Sequence, residues 1–203
     1  MSEIQEVHEV AEEAGHGKNR MIALLIAALA LLLAFAEAGN GNNENASIDL
    51  NIESSNLWSF YQAKTIRQTV IRTAAEQAAL DLPRTSDQVQ QDAIKTQIAA
   101  WKATADRYES EPRKDKDGQE AGEGRKELSA RAIAKQEERK ITMARKELYE
   151  VAAKAFQIGI VLASAMIITG LMPLVWASIL LGLGGVVLMG FAIFAPMAIH
   201  LPF

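Results

Sequence analysis

Two uncharged apolar runs, Phe156 to Met172 and Leu174 to Ile199, stand almost back to back in the sequence. At about 1.5 Å per residue each can cross a hydrocarbon core roughly 30 Å thick, which leaves Met172, Pro173 and a neighbour or two to make the turn between them. A third apolar run, Met21 to Ala36, lies near the other end. The pattern predicts an all-α membrane protein: three transmembrane helices, with a long helical-hairpin, coiled-coil-like insertion between the first and second. The expected segments are an acidic cytoplasmic stretch at 1–20, spans at 21–38, 156–172 and 174–199, and an extramembrane helical region at 39–155. Within that region helices are expected at about 47–82, 86–111 and 126–155.

The insertion is poor in oil. Between Gly39 and Ala155 it holds 18 Leu, Ile, Val or Phe among 117 residues. That is below the roughly 20% at which a packed globular core becomes doubtful, so extended helices that borrow burial from partners, or partial disorder, are expected. Its 19 Lys or Arg balance 19 Asp or Glu, so it offers no basic surface for nucleic acid. The net charge of −4 arises from five Glu against Lys18 and Arg20 at 1–20, with Glu37 supplying the last unit.

The 203 residues include no cysteine, which removes disulfides, thiolate metal sites and a cysteine nucleophile. The three histidines stand at 8, 16 and 200, and no phosphate-cradling loop or paired-acid motif appears. No catalytic residue, cofactor or metal is therefore expected. His8, Glu12 and His16 fall at i, i+4 and i+8, but Gly15 and Gly17 are expected to end the first helix before such a face is complete.

Lys18 and Arg20 precede the first span, and no further Lys or Arg follows until Lys64, which places the N-terminus in the cytoplasm. Met21 to Ala38 reads as a retained anchor. Ala23, Ala27, Ala30 and Ala34 make a small-residue seam that either admits a neighbouring helix or faces lipid. Gly39 to Asn45, GNGNNEN, reads as a turn-prone exit from the membrane.

Beyond it, Ser59, Ala63, Ile66, Val70, Ala74 and Ala78 form a thin stripe on the first leg. Trp58, Phe60, Tyr61, Gln62, Lys64 and Arg67 suit an interface or a membrane-surface belt, or else pack on the neighbouring legs. The Gly/Asn-rich exit and the segment SNLWSFYQAKTIR together resemble a bacterial membrane-protein family catalogued as domain of unknown function 4337. The resemblance rests on Gly39, Asn40, Asn42, Asn43, Ser55, Asn56, Trp58, Phe60, Tyr61, Gln62, Ala63, Lys64, Ile66 and Arg67, and on the C-terminal apolar hairpin. It implies a topology and no activity.

Pro83 breaks the first leg, and Thr85 or Ser86 is expected to cap the second, with Asp87 in its first turn. Ile94, Ile98, Trp101, Ala105 and Tyr108 repeat at coiled-coil spacing, which makes Trp101 and Tyr108 candidate contacts. PRKDKDGQEAGEGR, from Pro112 to Arg125, reads as a flexible loop. From Lys126 a stripe of Ala130, Ala134, Ile141, Ala144, Leu148, Val151 and Ala155 leads into the second span, as one rod. Gly159 with Ala163, and Ser178 with Gly182, are small-xxx-small pairs that favour close helix contact.

These features point to a structural or scaffolding protein of the bacterial inner membrane, with 39–155 in the periplasm and membrane lipid as one partner. It is expected to form a homo-oligomer or to join a larger membrane complex through its helical domain. Two alternatives stand beside this: a channel or transporter component whose pore forms on oligomerisation through the Gly182 to Gly190 face, and an accessory subunit of a respiratory or photosynthetic complex.

Overall fold

The computed structural model describes residues 2–198, and their side chains from Asn19 onward. His200, Pro202 and Phe203 lie outside the described residues, as do the side chains of His8, Glu12 and His16. The chain is all-α: α1 (Ser2–Asp81), a 3-10 turn (Leu82–Arg84), α2 (Gln88–Glu109), α3 (Arg125–Thr169) and α4 (Pro173–Phe194). It divides into an anchor unit, Met1–Ser47 with Lys140–Phe203, and an insertion unit, Ile48–Arg139. Among the described residues three helices are long and apolar enough to cross a membrane, within Asn19–Arg84, Arg125–Thr169 and Pro173–Phe194.

In the anchor unit, lipid-soluble side chains give no net preference for one another over lipid tails, so close packing must supply the specificity. Ile22, Leu29 and Ala36 repeat every seven residues along α1 and are buried. Leu29 and Ala36 pack with Ala152, Ala153 and Phe156 of α3, while Ile22 packs with Ala163 and Met166. Glycines make room for the larger members. A Cβ at Gly182 would stand 2.8 Å from Leu29, and one at Gly185 only 2.6 Å from the Phe156 ring. The Ser178 hydroxyl donates to the Gly159 carbonyl at 2.8 Å, tying α4 to α3 with a satisfied polar contact.

The structure answers three expectations for this unit, the first of them with a correction. First, α1 does not break at Gly15 and Gly17, nor at Gly39–Asn45. Each glycine costs about 1 kcal/mol in a helix, but Gly39 is where the Tyr149 ring comes closest, 2.8 Å from where a Cβ would be. Asn43 donates its amide to the Gly39 carbonyl at 2.7 Å, so its polar group is satisfied without a turn. Second, Ala23, Ala27, Ala30 and Ala34 are exposed, since within the chain it is the line of Ile22, Leu29 and Ala36 that meets α3, and the alanines stay open to lipid or to another helix. Third, the turn after the second span takes Gly170 to Met172, directly before Pro173, where the two apolar runs leave room for it. Gly170 takes the left-handed conformation, φ 70°, that ends α3, and Pro173 opens α4.

The insertion unit buries a different line of α1 from the expected one. Ser54, Leu57, Gln68 and Ala75 are buried, with Tyr61, Lys64 and Ile71 partly so; Ser59, Ala63, Ile66 and Val70 are exposed. Ala74 and Ala78 sit at the edge. The buried line is set by what it meets, since Leu57 packs on Leu128 and Ala132 of α3 and the Ser54 hydroxyl reaches the Ala132 carbonyl at 3.2 Å. The same rotation exposes Ala130 and Ala134 of the α3 stripe, although Leu148 in the anchor unit is buried as expected.

On α2 the seam is the expected one, with Ile98 and Ala105 buried and Ile94, Trp101 and Tyr108 partly buried. Its cap is Asp87, whose carboxylate accepts the Val89 N–H at 3.0 Å, in place of Thr85 or Ser86. The charged loop is an ordered turn. Asp115 accepts the backbone N–H groups of Asp117 and Gln119, both at 2.9 Å, Gly118 adopts φ 77°, and Ala121 bonds back to Arg113 at 2.7 Å.

Gly185→Ala is expected to destabilise the anchor unit by about 1–3 kcal/mol through overpacking against Phe156. Gly184→Ala, which meets open space, is expected to leave stability unchanged or raised. Thermal unfolding of the detergent-solubilised chain distinguishes the two.

Candidate functional site

The best-built polar feature among the described residues lies in the insertion unit, where α1, the end of α2 and the start of α3 converge. A fragile hydrophobic interior makes polar contacts matter here, because each must be satisfied to avoid a desolvation penalty of about 1–3 kcal/mol. Arg125, the first residue of α3, supplies most of the donors. One guanidinium nitrogen donates to the Gln68 carbonyl oxygen at 2.6 Å and to the Glu109 carboxylate at 3.0 Å; the other donates to the Tyr61 hydroxyl at 3.0 Å. Gln68 is buried and donates in turn to the Ala105 carbonyl at 2.9 Å and to Glu109 at 3.0 Å. The planar fork of Arg125 also lies 5.0 Å from the centre of the Tyr61 ring, which stands edge-on to Trp58. Arg125 Nε is left without a hydrogen-bond partner.

A second clasp secures the loop beside it. Glu127, two residues into α3, accepts the Ser110 hydroxyl at 2.6 Å and the Glu111 N–H at 3.1 Å. Lys64 lies 3.8 Å from Glu111 and 5.0 Å from the centre of the Tyr108 ring. A shallow groove runs past these contacts, lined by Leu57, Phe60, Lys64, Glu123, Leu128 and Arg131.

Gln68 holds the Glu109 carboxyl below the ordinary carboxylate range, with Arg125 adding to it against the opposing effect of burial. Burial pushes the Glu127 carboxyl up, but the hydrogen bonds from Ser110 and the backbone outweigh it and leave the group lowered. The chemistry is that of a fastener. The polar groups bind one another across three helices and present no nucleophile or acid–base pair toward a cavity.

The structure sorts the sequence candidates into two sets. Trp58, Tyr61, Lys64, Trp101 and Tyr108 are at least partly buried within the insertion unit, while Phe60, Gln62 and Arg67 face outward. In the anchor unit Gly159, Ala163, Ser178 and Gly182 are buried in contacts within the chain, while Ala23, Ala27, Ala30 and Ala34 are not. Gln68, Glu109, Arg125 and Glu127 were not among the candidates. One sequence signal for Glu127 existed, a glutamate at the third helical position after Gly124, where the first-turn N–H groups draw a carboxylate. Nothing local marks Gln68, whose partners stand 37 or more residues away.

The family model for "Domain of unknown function (DUF4337)" matches residues 18–195. The chain belongs to the DUF4337 family. The match covers all three apolar helices and the whole insertion unit of this DUF4337 protein. No curated protein and no solved structure matches it.

Arg125→Ala is expected to lower the stability of the insertion unit by about 1–3 kcal/mol, with Arg125→Lys recovering part of it, because an ammonium cannot span both Gln68 and Tyr61. Arg67→Ala, on the exposed side, should stay within about 0.5 kcal/mol of the parent. Acid should act on the same clasp. Carboxyls held below their ordinary value of 4.5 bind fewer protons folded than unfolded, so Glu109 and Glu127 contribute stability above that pH. The contribution is lost as pH falls through their folded values. Melting temperature followed from pH 7 to pH 3 should decline below about 4.5, and less steeply in Glu127→Gln.

Proposed function

We propose that this protein is a structural component of a bacterial inner membrane, in which three helices anchor an insertion unit that assembles with copies of the same chain or with a larger membrane complex. The observation that carries this reading is the distribution of oil in the insertion unit. Its interior relies on Leu57, Leu128, Ile98 and alanines, closed by the Arg125 clasp, while Phe60, Ile66, Val70, Leu80, Val89 and Ile133 stand exposed. Helices with so little burial are marginal in water, and association supplies what the single chain lacks.

The positive-inside bias from Lys18 and Arg20 supports a cytoplasmic N-terminus with 39–155 in the periplasm. The channel reading has less support. Leu29 and Phe156 of the same chain occupy the notches at Gly182 and Gly185, on the face that such a pore would use.

The detergent-solubilised particle is expected to have a protein mass at least twice the 22.1 kDa of one chain, or to co-purify with other membrane proteins in fixed ratio. Multi-angle scattering with detergent correction measures this, and a solitary chain would end the proposal.

A further inference from the structure

We infer that the outward stripe of α1 in the insertion unit, from Ile48 to Val70, is the surface on which a second copy of this chain docks, parallel and in register. The inference rests on the proposed assembly and names its contact. Ile48, Ile52, Ile66 and Val70 are 52%, 53%, 65% and 62% exposed. With 3.6 residues per turn, these four and Ser55, Ser59 and Ala63 between them fall within an arc of about 80° on α1. This is a coherent apolar line, opposite in sense to the buried Leu57, Gln68 and Ala75 line of the same helix.

Two features of the line select a second copy as its occupant. The first is charge. Asp49, Glu53, Lys64, Arg67, Arg72 and Glu76 all fall at about 80° or more from the centre of the stripe, while the flanking positions within about 60° of it hold Asn56, Gln62 and Thr73. A parallel two-fold pair sets each residue against its own counterpart, so any charge on the seam would meet its like. This is a neutral face in a highly charged unit, able to meet itself without repulsion. Charge depletion at the centre is also the compositional mark of interface cores.

The second feature is the state of its polar groups. The Ser59 hydroxyl donates to the Ser55 carbonyl at 3.0 Å, and Thr69 donates to the Thr65 carbonyl at 2.9 Å. These hydroxyls carry their own partners into a dry seam, so burying them leaves no donor stranded. Ser55, Ser59 and Ala63 are also short, which lets two helix axes come within about 8 Å, with the branched Ile48, Ile52, Ile66 and Val70 closing the seam on either side. Lipid does not compete for this stripe, because the charges beside it keep the insertion unit out of hydrocarbon. Copies inserted in one membrane with one topology also present α1 in the same direction, which a parallel pair requires.

The absence of cysteine makes the test clean. Single variants of the full chain, Ser59→Cys and Ile66→Cys on the stripe, Phe60→Cys and Arg72→Cys off it, are expressed in membranes and oxidised with copper phenanthroline. A disulfide needs Cα atoms within about 7 Å, so the stripe variants should form a band of twice the chain mass about tenfold more readily than the off-stripe pair. The double variant Ile66→Asp/Val70→Asp should abolish the link in a Ser59→Cys background while the chain remains folded by circular dichroism. Equal linking at all four positions, none on the stripe, or linking to a different protein overturns the inference. If scattering meanwhile finds a multimer, only this contact is wrong; if it finds a single chain, the proposed assembly falls with it.

Discussion

The clasp at Arg125 is the contact on which the insertion unit depends. A guanidinium at the start of α3 reaches Gln68 and Tyr61 on α1 and Glu109 at the end of α2 in one planar arrangement. The partners lie on two helices and the guanidinium on a third, so the three cannot slide past one another without breaking charge-assisted bonds in a partly desolvated site. Hydrophobic burial does not fix register in this way, because an alanine stripe packs almost equally well one turn along. The polar cluster thus supplies specificity where apolar area is scarce. Glu127 extends it by pinning the loop that delivers Arg125 to its place.

The anchor unit meets the opposite problem. It has apolar surface in plenty and must distinguish one packing from many, so fit takes over from charge. Phe156 enters a notch that exists because Gly185 has no side chain, Leu29 enters another at Gly182, and Tyr149 lies on Gly39. Glycines that would weaken a helix in water are therefore the sites of closest contact here. Ser178 adds a directional bond between the two legs of the hairpin by donating to the Gly159 carbonyl.

Much of the architecture is legible in the residues, and the limits of that legibility have a common cause. The spans at Met21, Phe156 and Leu174 declare themselves through length and the absence of charge, and the α2 seam from Ile94 to Tyr108 through its 3.5-residue period. The faces of α1 do not. Ser59, Ala63, Ile66 and Val70 form as plausible a stripe as Ser54, Leu57, Gln68 and Ala75, and pattern favours the former because Gln68 is polar. Only partners distant in sequence make the second line the buried one. The GNGNNEN segment misleads for the same reason: its composition is that of a turn, and the ring that packs on its first glycine belongs to Tyr149, 110 residues from Gly39.

The sequence by itself determined that this chain is helical and carries three bilayer-length apolar helices, because those properties follow from local composition and period. It also determined that the insertion is too poor in oil to pack as an ordinary globule. Tertiary structure alone decided which side of each helix is buried, which glycines are notches and which are open, and that Arg125 gathers three helices. Each of those outcomes is a contest between faces of similar composition, and the contest is settled by contacts that no short window of residues contains.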